Sequence, residues 1–236
     1  MKEPETRAIM GLTCVLEPGQ GRWNRLVGSA GAEAAWARLL RDESPQGVRA
    51  RRLDLDTVER ETRLRDLRFV HRASGEWLSA LDDLESTGAV GGIDGGRPLG
   101  LWVAGPMSLS EIGATGVAIV GSRASTPYGD TVASELAAEL AEAGTVIVSG
   151  GAFGIDAAAH RGALSSDGAT VAVMACGLDQ LYPRGNDALL RRVRDTGLVV
   201  SEYPPGATPT RHRFLTRNRL IAAIASATVI VEAAAR

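Results

Sequence analysis

The sequence predicts an α/β fold, a doubly wound parallel sheet with a small N-terminal helical domain. From Val117 onward, five apolar, β-branched runs alternate with four helical patterns, the signature of strands wound by crossover helices. None of the runs alternates with polar residues, so the strands are expected to be buried on both faces, as in a parallel sheet. Before residue 70 the apolar spacing is helical instead.

Residues 1–70 read as the helical domain. In "WNRLVGSAGAEAAWARLLRDES" apolar residues recur at helical spacing, and "LDTVERETRLRDLRFV" reads as another amphipathic helix. Its arginines (Arg49, Arg51, Arg52, Arg60, Arg63, Arg65, Arg68) are interleaved with acids, which points to a solvated face. Residues 71–116 are a connecting region with one extra strand over 99–104, and the glycine-dense "TGAVGGIDGGRPLG" is a flexible loop. Residues 117–236 carry "VAIVG", "TVIVSG", "TVAVMACG", "LVVSEY" and "ATVIVEA" with a helix between each pair. The last strand is expected to end near Ala233. A covering helix would normally follow, so the expectation is either a clipped sequence or a sheet edge completed by something outside it.

Composition narrows the chemistry. The 236 residues are 44% hydrophobic with a net charge of −2, so any nucleic-acid role must rest on a local patch. Lys2 is the only lysine, which excludes a P-loop. Two cysteines and three scattered histidines give neither a disulfide framework nor a metal pattern, and no cofactor is expected. The charged start "MKEPETRAIM" is no signal peptide. The longest nearly apolar run, residues 220–231, is about half of a membrane span. The expectation is a cytoplasmic protein with no membrane contact.

In open parallel sheets ligands bind beyond the carboxyl ends of the strands. There the sequence places Gly121-Ser122-Arg123, "SGGAFGIDAAAH", "CGLDQLYPRGN" and "SEYPPGATPTRHRFLTRNR". Gly150, Gly151 and Gly154 are expected to take positive φ and bring N–H groups to an anion, with Phe153 between them and a helix start adding its dipole. Such a turn also serves packing alone. A dinucleotide fingerprint is missing, since Ser149 stands for the first glycine and no acid ends the next strand. Between Tyr203 and Val231 there is no acid, yet there are Arg211, Arg213, Arg217 and Arg219, with Phe214 among them. That grouping suits a nucleic-acid backbone with room for base stacking; packing on carboxylates of other elements is the competing reading. Arg217, Asn218 and Arg219 are expected to open a helix, where their charge opposes the dipole unless an anion or Glu202 or Glu232 offsets it.

"VAIVGSRAST", "SGGAFGIDAAAH", "GLDQLYPRGN", "SEYPPGATPTRHRFLTRNRLIA" and "VIVEA", in that order, resemble the DprA/Smf DNA-processing family over residues 117–236. The resemblance implies an extended Rossmann-like fold that binds single-stranded DNA, protects incoming DNA in natural transformation or recombination and loads the RecA recombinase, with no catalytic residue. By match of motif, Ser122, Arg123 and the backbone of Gly150, Gly151 and Gly154 would hold a phosphate; Arg217, Asn218 and Arg219 would line the pocket, and Phe214 would face a base. Members work as homodimers. The stop at Arg236 precedes much of the self-association surface, so dimerisation and RecA contact do not carry over as DNA binding does. The rival from another class is a nucleotide-processing enzyme, phosphoribohydrolase-like, on a related fold. Its Pro-Gly-Gly-x-Gly-Thr-x-x-Glu motif is not matched, because "SGGAFGIDAAAH" lacks the threonine and the glutamate. A structural scaffold is the third reading and predicts no nucleic-acid affinity.

Overall fold

The computed structural model of the chain describes residues 4–88 and 95–233. The expected loop over 87–100 therefore lies partly outside the described residues. Helices α1 (Pro4–Val15), α2 (Gly21–Ala30), α3 (Ala32–Arg41), α4 (Pro45–Arg52) and α5 (Leu55–Leu64) come first. Gly31, at φ +86°, separates α2 from α3. Ser44 caps α4 by accepting from Gly47 N, and Asp54 caps α5 by accepting from Asp56 N and Thr57 N, each satisfying an otherwise orphaned amide.

The helix expected over residues 55–70 stops at Leu64. Asp66 takes the left-handed conformation, at φ 54°, and Leu67 N closes the end by donating to Thr62 O, a helix-terminating geometry. The chain then enters strand β1 (Arg68–His71), which pairs antiparallel with β2 (Gly100–Ala104). Aromatic and β-branched Phe69 and Val70 suit a strand, and the amphipathic pattern hides the change of period. A 3₁₀ stretch over Ser79–Ser86 links the two strands.

Then follow β3 (Gly116–Val120), α6 (Pro127–Glu142), β4 (Val146–Ser149), α7 (Ile155–Ser165), β5 (Thr170–Met174), α8 (Asp187–Thr196), β6 (Leu198–Ser201), α9 (Arg211–Ile224) and β7 (Ala227–Ile230). The sheet order is β1-β2-β6-β5-β4-β3-β7. Strands β3 to β7 are parallel, while β1 and β2 extend the sheet antiparallel. The expected burial on both faces fails for the last run: β7 is the edge strand and three of its four residues are exposed. Ladder strand β7 ends at Ile230, although Val231 N still donates to Val120 O.

Right-handed crossovers fix the layers. The steps β3→β4→β5→β6 run in one direction and put α6, α7 and α8 on one face; the return to β7 puts α9 on the other. Packing agrees. Ile119 and Ile147 face α6 and α7 through Ala133, Ala137 and Ile155, whereas Ala118, Val148 and Val173 face Leu220, Ile221 and Ile224 of α9. Helix α1 shares the first of these faces, because Met10 packs with Trp102, Ala104 and Val193. Helix α9 shares the other face with the 3₁₀ stretch over Ser79–Ser86, through Leu81 and Leu84. Because α8 and α9 lie on opposite faces, the loop after β6 passes over the carboxyl edge, and that places the acid-free segment there.

Candidate nucleic-acid interface

On the carboxyl rim, the turn after β3 is fastened at both ends. Ser122 N donates to Glu232 O (2.6 Å), and Ser122 O accepts from Ile155 N (3.2 Å). Ser122 Oγ accepts from Ala124 N, which presents Arg123 outward. Arg123 is exposed, has no ion pair among the described residues, and lies with its guanidinium carbon 4.4 Å from the Phe214 ring centroid. A ring face holds a cation in place without neutralising it. A cleft of about 1050 Å³ opens beside this pair, lined by Ser122, Arg123, Tyr182, Thr210, Arg211 and Phe214. Arg211 is exposed there and is likewise without an ion pair among the described residues. The Tyr182 ring is 5.9 Å from that of Phe214 and 43% exposed.

The loop after β4 differs in part from expectation. Gly151 and Gly154 have φ of +69° and +75°, as predicted, but Gly150 does not take positive φ. Its missing side chain has another use. The Arg217 guanidinium lies against it and donates to Gly150 O (2.6 Å) and to Val173 O. Several loop groups also have internal partners: Ala152 N donates to Asp156 Oδ2, and Asn186 Nδ2 donates to Gly151 O and Ala152 O. Phe153 stays 50% exposed.

Helix α9 begins at Arg211, capped by Thr210, whose Oγ1 accepts from Arg213 N. Arg217, Asn218 and Arg219 therefore stand in mid-helix and do not open it, so the expected conflict with the dipole falls on Arg211 and Arg213. The arginines then divide. Arg217 is only 3% exposed; burial lowers its pKa, and Asp156 opposes that shift. Asp156 is pushed up by burial, with Arg217 opposing. Arg219 Nη2 pairs with both Glu202 oxygens at 2.8 and 2.7 Å, with side chains 8% and 5% exposed. Arg213 is half-buried: it donates to Thr208 O, lies 4.6 Å from the Tyr203 ring centroid and 3.8 Å from Glu17. Glu202 thus offsets Arg219 as one expectation had it, while Glu232 Oε2 instead accepts from Thr126 N and Oγ1 at the start of α6.

A smaller pocket of about 330 Å³ adjoins the cleft at Gly121 and Arg123 and reaches Asp156, Arg217 and the exposed Asn218. Ser122, Arg123, Phe153, Arg211, Phe214 and Asn218 therefore face the rim's openings or solvent, and Gly150, Gly151, Gly154, Arg217 and Arg219 build its frame. Sequence reasoning missed Tyr182. An aromatic in "GLDQLYPRGN", at the carboxyl end of a strand, was the available signal.

Sheet and rim together are those of an extended Rossmann-like α/β protein whose carboxyl rim is basic and aromatic. Residues 92–236 match the family model described as DNA recombination-mediator protein A, and the chain belongs to that family. It is 45% identical over 244 aligned residues to the putative DNA processing protein DprA of Mycobacterium tuberculosis, covering 100% of this chain and 62% of that protein. The DNA processing protein DprA of Streptococcus pneumoniae is 43% identical over 120 residues, 51% of this chain and 42% of that one. The X-ray structure of the pneumococcal protein superposes with a TM-score of 0.77 at 27% identity, over 98% of this chain and 78% of that chain. A structure of DNA processing protein A from Helicobacter pylori, described by its single-stranded DNA binding mode, gives 0.59 at 33% identity, over 71% and 69%.

Proposed function

We propose that this chain binds single-stranded DNA at the carboxyl rim, with Arg123, Arg211 and Ser122 on phosphates and Phe214 and Tyr182 offering faces to bases. The observation that carries this reading is Arg123, an exposed guanidinium braced on Phe214 with no ion pair among the described residues. A cation held ready but not neutralised suits a polyanion, and exposed rings beside it suit unstacked bases. Arg213, Phe153, Asn218 and the Gly150–Gly154 loop belong to the same interface; Arg217 and Arg219 support it from within. The single-stranded DNA binding mode described for the Helicobacter pylori relative supports the same choice of ligand. Protection of incoming DNA and RecA loading rest on the family resemblance and not on the geometry of the rim. An anisotropy titration with a single-stranded oligonucleotide beside a duplex competitor tests it. Preference for the single strand is expected, and Phe214→Ala should erode that preference. Equal affinity for duplex, or an unchanged preference in the variant, would remove the stacking platform.

One observation favours the enzymatic reading. The Asp156 carboxyl is pushed up by burial beside the smaller pocket, as a general acid requires. Yet its Oδ2 accepts from Ala152 N, which suits a brace for the loop. Incubation with nucleoside monophosphates should release no free base; turnover would establish the enzyme instead.

A further inference from the structure

The arginines of the helical domain divide into two sets. From residue 53 to 76 most arginines pair with acids, Arg63 with Glu59, Arg65 with Glu61, Arg68 with Glu76 and Arg72 with Asp82, while Arg60 donates to Thr57 Oγ1. From 21 to 52, on α2, α3 and α4, seven arginines face three acids in a chain whose net charge is −2. Some have structural partners. Arg51 donates to Leu40 O and Asp42 O at the end of α3, and Arg49 donates to Val15 O. Arg25, Arg38, Arg41 and Arg52 are exposed with no ion pair or hydrogen bond among the described residues, and Arg22 lies over the Trp23 ring at 5.6 Å. Arginine at a helix C-terminus complements the dipole, which accounts for Arg38, Arg41 and Arg52 singly. It does not account for Arg22 and Arg25, early in α2.

These groups converge. The ends of α3 and α4 meet, because Arg51 donates to Leu40 O and Asp42 O next to Arg41; Asp42 is held below its usual range by hydrogen bonds from Ser44, then by the charges of Arg22 and Arg38. The face also begins at the rim. Glu17 lies 3.8 Å from Arg213, and Gln20, Trp23 and Asn24 line a small cavity against Glu202 and Arg97. Arg22 is five residues past Glu17, so their Cα atoms are at most about 18 Å apart.

We infer that the α2–α4 face is a second anion surface, which takes the phosphates of a DNA strand as it leaves the rim cleft past Arg213. The inference rests on the reading of the rim as a single-strand site. Phosphate is the fitting ligand because the cations are exposed on three successive helices and outnumber the acids of that stretch. No exposed large aromatic accompanies them, so this surface adds affinity and salt dependence but no stacking.

The test compares a short strand of about five thymidylates, which the rim can fill by itself, with one of about thirty, across a salt series. In Arg38→Gln/Arg41→Gln/Arg52→Gln the short strand should bind as in the parent. The long strand should bind more weakly, with a log–log salt slope shallower by about 2, at roughly 0.7 for each phosphate no longer neutralised. The matching triple lysine variant should restore the slope, because charge alone is required; circular dichroism checks that both variants are folded. An unchanged slope for the long strand in the glutamine variant overturns the inference and leaves the rim reading intact. Failure of the parent to bind either strand overturns both.

Discussion

Two arginines on the rim, Arg123 and Arg217, approach one ring, their guanidinium carbons 4.4 Å and 6.0 Å from the Phe214 centroid. Arg217 is buried and holds the backbone of two strand ends; Arg123 is exposed and holds nothing. The sequence places both at the strand ends but does not separate them. Coding bias makes every cation here an arginine, and burial depends on which carbonyl lies opposite. His160 is a packed side chain: its Nδ1 lies 2.8 Å from Thr170 Oγ1, which donates to Ile147 O. Burial, aided by Arg217 and Arg161, lowers its pKa to about 3. The unfolded chain takes up that proton near pH 6.5, so His160 costs stability as pH falls from there toward 3, by up to about 1.4 kcal/mol per pH unit. The raised carboxyls Asp156 and Glu202 act with the opposite sign. The comparison with His160→Gln therefore isolates the histidine: urea midpoints of the parent should fall more steeply between pH 6.5 and 4 than those of the variant. Parallel curves would contradict the assignment.

Helix α9 is the element on which the rim depends, and its two ends are unequally legible. The core face, Leu220, Ile221 and Ile224, follows from apolar spacing. The start does not. The sequence pattern puts it at Arg217, whereas Thr210 caps the helix two turns earlier, where basic residues mask the boundary. An acid-free run of 29 residues, Tyr203 to Val231, is visible in the sequence, but that Glu202 and Glu17 come back to Arg219 and Arg213 is a matter of tertiary placement. The Glu202–Arg219 pair ties α9 to the end of β6 from inside. Arg219 Nε and Nη1 have no hydrogen-bond partner among the described residues, so the pair has little to replace it. Glu202→Ala leaves a guanidinium buried and uncompensated, at a cost of about 3–5 kcal/mol, measurable by urea denaturation. A loss below about 1 kcal/mol would mean that Arg219 finds water or another acceptor.

At the scale of the whole molecule, the doubly wound sheet is readable because β4, β5 and β6, buried along their whole length, show continuous apolar runs; β7 carries the same kind of run at an exposed edge. The antiparallel strand β1 is not readable, since its four residues follow a helix with no glycine or proline between. Helix α1 and the sheet share a core through Met10 and Trp102, and Trp102 Nε1 donates to Thr62 Oγ1 of α5. The helical region is thus packed against the sheet. With a net charge of −2, the molecule as a whole does not attract a polyanion, and at physiological salt charges beyond about 8 Å are screened. Affinity must come from cations that touch the strand. The most direct test is the salt dependence of single-strand binding for the parent and for Arg123→Ala. The variant should bind every sequence more weakly by a similar factor, because phosphate contacts carry no base information, and its log–log slope should be shallower by about 0.7. Equal affinity and equal slope in the two proteins would show that DNA, if bound at all, is held somewhere other than the carboxyl rim.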